Sequence, residues 1–230
     1  MRVVVELLSI VRGCKLETAA ESHIRACLPF LSTLLEDLRP ITVPAPSPLL
    51  VPEAVVKTVT GQLLSAAAAK TIYGRLQAAR HAAGLPGSWL LPHQTMRSCG
   101  LSANKARSLT EFAAAYAKDP KRIDGWKALD YENLVREVSS FWGLSRWSAD
   151  ILAIFHFGHT DVFPIADGSI TRALHSAAEA LGVDEDRWPI DAVRPHRTFL
   201  TMLLWKSVDT DYWSRHKRHF VAMGEDHTSN

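Results

Sequence analysis

The sequence predicts an all-α protein, and three observations lead there. Apolar residues recur at spacings of three and four through nearly every periodic segment. The only strand candidate, Val3–Leu8, is weak. Gly- and Pro-bearing stretches such as Gly84, Pro86, Gly87 and Pro92 punctuate the periodic segments as short loops. With 230 residues and 47% hydrophobic content, the chain can bury a full core, as one domain or two closely packed lobes.

The elements follow in order. Glu17 to Leu38 aligns Ala20, Ile24, Leu28, Leu31 and Leu35 on one face of a helix. Residues 39–52 hold five prolines, which remove amide donors and fix φ, so an extended connector is expected. Helix resumes near Pro52 and is expected to run on through Gly61-Gln-Leu-Leu-Ser-Ala-Ala-Ala-Ala69. The alanine run there suggests close approach of a second helix, hence burial. A helix over 103–117 is capped by Ser102. Others are expected over 131–141, 146–157, 167–181 and 190–206, then from Asp209 to about Phe220.

Composition excludes several classes. A net charge of +2 does not by itself announce a polyanion as partner. Basic residues do gather locally, in Arg215-His-Lys-Arg-His219 and around Lys105 and Arg107. Cys14, Cys27 and Cys99 are odd in number and form no CxxC, which argues against disulfides, zinc or iron–sulfur and for a reducing compartment. The opening MRVVVELLSIVRG carries Glu6 and no cleavage site, and no stretch reaches the roughly 20 apolar residues of a membrane span. A soluble cytoplasmic protein is expected, nucleoid-associated if bacterial. His156 with His159, and His216 with His219, lack the carboxylate or thiolate neighbours of a metal site.

The most informative stretch, Glu137 to Leu152, reads as helix, tight turn at Gly143, helix. A second helix starting with few capping side chains would offer free amides and a positive dipole end to a phosphate. An ordinary helical hairpin is the plainer alternative. Twenty residues beyond Trp147, Asp167 ends a loop and begins a helix. Asp is a favoured N-cap, and a carboxylate so held also stays ionised, as one facing a cationic transition state must.

Three segments then resemble the helix-hairpin-helix DNA glycosylase superfamily, in its 3-methyladenine DNA glycosylase II branch. Thr60-Gly-Gln-Leu-Leu-Ser65 is similar to the branch's GQLVS segment, Phe141–Asp150 to its PGIGxWTA hairpin, and Asp161–Ile170 to its DVFPxDD segment. The likeness runs from about Pro52 to Trp205. It implies two helical lobes with the active site in the cleft between them. Residues 1–51 would be an N-terminal helical segment and connector packing with the C-terminal helices. Residues 52–165 would form a barrel lobe holding the hairpin (131–157), and residues 166–230 the helix of the catalytic aspartate and the C-terminal helices.

The resemblance also implies roles. Asp167 matches the catalytic acid. Trp147 stands where bifunctional members carry a Schiff-base lysine, so simple hydrolysis without strand cleavage is implied. Trp147, Trp205 and Ile151 would line the base pocket. Leu63 would wedge into the duplex, with Gln62, Gly143, Ser145, Arg146 and Trp147 also at the DNA; Lys105 and Arg107 are further phosphate candidates. No cofactor is required, although the carbonyls of Ser139, Phe141 and Leu144 match those that hold a structural Na+ or K+ in the family's hairpin. The implied partner is double-stranded DNA with a damaged base, met by a monomer away from membranes. The implied reaction is removal of that base, an alkylated purine such as 3-methyladenine, in base excision repair. Ser145 replaces the second hairpin glycine, Ala166 the acid before the catalytic one, and Ile151 an aromatic pocket residue, which suggests a less aromatic pocket. These departures keep two alternatives open: a glycosylase for deaminated or oxidised bases, and a non-catalytic DNA-binding module.

Overall fold

The computed structural model describes residues 18–184 and 188–216. The strand candidate Val3–Leu8, Cys14, and the basic cluster beyond His216 lie outside the described residues. All regular structure within them is helical, as the apolar periodicity predicts.

Helix α1 (Ala19–Cys27) starts on a capping box in which Thr18 Oγ1 accepts the Glu21 amide and Glu21 accepts the Thr18 amide. It stops two residues before Pro29, so the single helix expected to Leu38 is corrected to two. A 3₁₀ turn, Pro29–Leu31, leads into α2 (Ser32–Asp37). The apolar stripe survives the break, and Ile24, Leu28, Leu31 and Leu35 are all fully buried. Residues 39–50 form no regular element, as the prolines require. They lie along the chain near residue 156, where the Ser47 amide donates to the His156 carbonyl at 3.1 Å.

Helix α3 (Val51–Gly61) ends where the sequence suggested continuity. Ser65 is a better cap than helix interior: its Oγ accepts the Ala68 amide and starts α4 (Ala66–Ala82). Residues 62–65 therefore project as a turn. The expected burial of the alanine run is also corrected, because α4 lies on the surface and Leu76 is its one fully buried residue. Helices α5 (His93–Ser98), α6 (Ala103–Lys118, capped by Ser102 Oγ) and α7 (Pro120–Asp124) complete this half.

Helices α8 (Tyr131–Ser139) and α9 (Arg146–Leu152) form the hairpin. Rather than continuing as α-helix, α9 widens into a π turn, Ala153–Phe157, closed by Gly158 in the left-handed region. After an irregular loop come α10 (Gly168–Leu181) and α11 (Arg197–Asp209), then a helical turn at 212–216.

Buried side chains form two cores. The first draws on residues 51–162, from Val51 through Phe112 and Trp126 to Val162. The second joins Ile24, Leu28, Leu31, Leu34, Leu35 and Leu38 to side chains from 163–213, notably Ile170, Leu200 and Trp213. Trp205 packs against both. No helix among the described residues is long and apolar enough to cross a membrane.

Candidate active site

Asp167 gathers four donors. As N-cap of α10 its Oδ1 accepts the amides of Ser169 (2.9 Å) and Ile170 (3.1 Å). The indole Nε1–H of Trp205, from α11, donates to the same oxygen at 3.0 Å. That of Trp147, from α9, donates to Oδ2 at 2.8 Å. The side chain is half-buried. Burial pushes its pKa upward, but the two indoles and then the two amides outweigh it and hold the carboxyl below the usual range. The cap and the charged carboxylate are thus one arrangement.

Facing Asp167 is the turn between α3 and α4. Leu63 is 102% exposed, with φ of 55°. Water-exposed leucine in the left-handed region costs free energy twice over, so the turn is held from outside. Lys105 Nζ donates to the carbonyls of Thr60 (3.0 Å) and Gln62 (2.6 Å), and its burial lowers its pKa. Gln62 Nε2 donates to the Gly143 carbonyl (3.0 Å) and Ser148 Oγ (3.1 Å), tying the turn to the hairpin. Lys105 and Gln62, expected at DNA, spend these donors inside the protein. The turn and Asp167 share a cleft of about 860 Å³ that Gly143, Ser145, Trp147 and Arg172 also line.

At the hairpin, Gly143 has φ of 78°, and a Cβ there would lie 2.6 Å from Ser108 Oγ. Ser108 in turn donates to the Trp142 carbonyl at 2.9 Å. Glycine is required on both counts. The amides expected to be free are partly used: that of Ser145 donates to Ser148 Oγ at 3.3 Å. Arg146, exposed at the start of α9, donates to Tyr131 Oη (3.2 Å), which donates to Oδ1 of the buried Asp150 (2.6 Å). Asp150 was not singled out in the sequence; its pKa is pushed up to about 6 by burial, against the pull of Tyr131 and Arg146. Arg107 lies over the half-exposed Trp142 ring at 4.3 Å and pairs with Glu111. The Phe141 carbonyl accepts the Leu144 amide.

The three residues expected in one base pocket are split. Trp147 lines the Asp167 cleft, whereas Ile151 lines a neighbouring apolar pocket of about 530 Å³ that it shares with Trp205, Phe155 and Met202. Phe155 stacks on Trp205, with centroids 5.6 Å apart and planes 18° from parallel. An aromatic side chain absent at position 151 is thus present four residues later in the pocket that Ile151 lines. The spacing of four from Ile151 was the available signal.

No protein-family model matches the chain. It is 26% identical over 163 residues to DNA-3-methyladenine glycosylase 1 of Schizosaccharomyces pombe, covering 67% of this chain and 71% of that protein. It is 25% identical over 199 residues to an alkylbase DNA glycosidase-like protein of the same yeast, covering 81% and 92%. Its fold resembles the S. pombe 3-methyladenine DNA glycosylase solved in complex with abasic DNA. There the TM-score is 0.72 and the identity 23%, over 84% of this chain and 97% of that one. On sequence the chain is similar to 3-methyladenine DNA glycosylases, and its all-helical fold is theirs, as the resemblance to the helix-hairpin-helix DNA glycosylases implies.

Proposed function

We propose that the chain is a monofunctional DNA glycosylase of base excision repair, hydrolysing the N-glycosidic bond of an extruded alkylated purine such as 3-methyladenine. The observation that carries this is the Asp167 carboxylate, kept ionised by two indoles and an N-terminal helix turn in a cleft faced by an exposed leucine. Extruding a nucleotide costs a few kcal/mol, and Leu63 filling the vacated stack offsets part of it. An alkylated purine is cationic and leaves readily; an indole face attracts it by roughly 0.5–2 kcal/mol. As the bond breaks, positive charge grows on the sugar, and Asp167 stabilises it or orients the attacking water. Trp147 holds the carboxylate by its edge and lines the cleft, which offers its ring to the base, whereas Trp205 is stacked on Phe155.

The absence of lysine from the residues lining the cleft supports hydrolysis without strand cleavage. The names of the relatives support an alkylated base. The protein would work as a monomer on double-stranded DNA, in the cytoplasm or on the nucleoid. At the hairpin, the Ser139 and Leu144 carbonyls have no donor among the described hydrogen bonds, so together with that of Phe141 they fit a structural Na+ or K+, which would stiffen the turn.

The test is base release from duplexes carrying 3-methyladenine, 7-methylguanine, hypoxanthine, uracil or 8-oxoguanine, scored with and without alkaline cleavage. Methylpurine release leaving an uncut abasic strand is expected. Asp167→Asn should lower release by a factor of about 100 or more while retaining affinity for abasic DNA. Full activity in that variant refutes the assignment of Asp167.

A further inference from the structure

The Asp167 cleft has an electrostatic difficulty. It must receive a strand that carries one negative charge per nucleotide, yet its central group is a carboxylate held in the charged form. Charged atoms that close in a partly desolvated cleft repel by more than they do in water. Among the cleft-lining residues one other bears charge, Arg172.

Arg172 sits one turn into α10, lines the same cleft as Leu63 and Asp167, and is exposed. Its Nη2 donates to Ser169 Oγ at 3.1 Å. The Ser169 amide donates to Asp167 Oδ1 at 2.9 Å. One helical turn therefore ties the cation to the carboxylate through Ser169, with Arg172 among the residues lining the cleft. The other basic candidates lie outside this cleft's lining: Lys105 is bonded to the carbonyls of the Leu63 turn, Arg107 to Glu111 and the Trp142 ring, and Arg146 to Tyr131.

Resting on the glycosylase reading above, we infer that Arg172 is the phosphate contact of this cleft, gripping the backbone beside the extruded nucleotide so that its sugar faces Asp167. The guanidinium's planar fork suits two phosphate oxygens. It would set the polarity of entry, phosphate toward Arg172 and base toward Trp147, and would keep the phosphate off the carboxylate. Sequence reading passed Arg172 over because one arginine on a helix face carries no motif.

The experiment measures binding of the full chain to a duplex with a tetrahydrofuran abasic site and to an intact duplex, across a range of KCl concentrations. Arg172→Ala should weaken abasic-duplex binding about tenfold or more and make the slope of log K against log salt shallower by about 0.9. The intact duplex should be affected far less, and the single-turnover excision rate at saturating protein less than the affinity. Arg172→Lys should restore the slope but only part of the affinity. Lys118→Ala, a charge removed at the exposed end of α6, should leave both unchanged. An Arg172→Ala variant that matches the parent, or that loses both duplexes equally, overturns the inference alone. A parent that binds neither duplex and releases no base overturns the glycosylase reading and this inference with it.

Discussion

On the proposed reading, Leu63 separates stability from function at a single side chain. A core leucine replaced by a small residue costs about 2–5 kcal/mol, but Leu63 buries nothing within the protein and holds a left-handed φ. Leu63→Gly removes the steric cost of that φ, roughly 1–2 kcal/mol, and adds freedom to the unfolded chain of about the same size. Its unfolding free energy should stay within about 1 kcal/mol of the parent. Affinity for abasic or lesion-bearing DNA should fall by about 10–100-fold, the worth of burying one leucine. Denaturant titration beside a binding assay checks this; a large stability loss with intact binding would make Leu63 a structural residue. The sequence could nominate Leu63 only through a resemblance. The reason it stands out, exposure at a strained φ, follows from the break at residues 62–65, which local periodicity hid by running unbroken through both helices.

At the scale of elements, the hairpin and the leucine turn are one assembly, coupled through Gln62 to Gly143 and Ser148. Gly143→Ala would place a methyl 2.6–2.7 Å from Ser108 at a φ of 78°. The cost should be about 2–4 kcal/mol, from αL strain plus overpacking. Because Gly143 presents its carbonyl to Gln62, the damage should spread: hydrogen exchange should quicken at 61–65 as well as at 141–145. Faster exchange at the hairpin alone would show the two segments to be independent. Much at this scale was legible. Ser102, Gly143 and the prolines after Leu38 act locally, and local rules read them. The break at Pro29 was legible too, but the apolar stripe across it argued more loudly for continuity. The convergence of Trp147 and Trp205 on one carboxylate was not legible, since it joins α9, α10 and α11 through packing that no spacing encodes. The π turn was equally hidden, though it shifts Phe155 onto Trp205.

At the scale of the whole molecule, buried Asp150 makes stability depend on pH. In the unfolded chain its carboxyl titrates near 3.8, and in the folded protein near 6. Below pH 3.8 both states hold the proton and there is no penalty. Between about 4 and 6 the unfolded state releases it first, so this carboxyl's contribution to stability falls as pH rises, reaching a deficit of about 3 kcal/mol above pH 6. Asp150→Asn keeps an acceptor for Tyr131 and removes the charge. It should therefore gain stability relative to the parent at pH 8 by about that amount more than at pH 4, read by denaturant unfolding at each pH. Equal differences at the two pH values would count against a strained carboxylate.

The way the two cores divide the chain also orders its synthesis. The leucines of α1 and α2 leave the ribosome well before Ile170, Leu200 and Trp213, the residues that will cover them. Until α10 and α11 have emerged, those early helices lack their native cover, while the first core, whose buried residues end at Val162, can already begin to close. Asp167 meets Trp205 only after that. A nascent chain can thus display its leucine turn and hairpin before it owns a charged, fully liganded carboxylate, and chemistry is the last property the protein acquires.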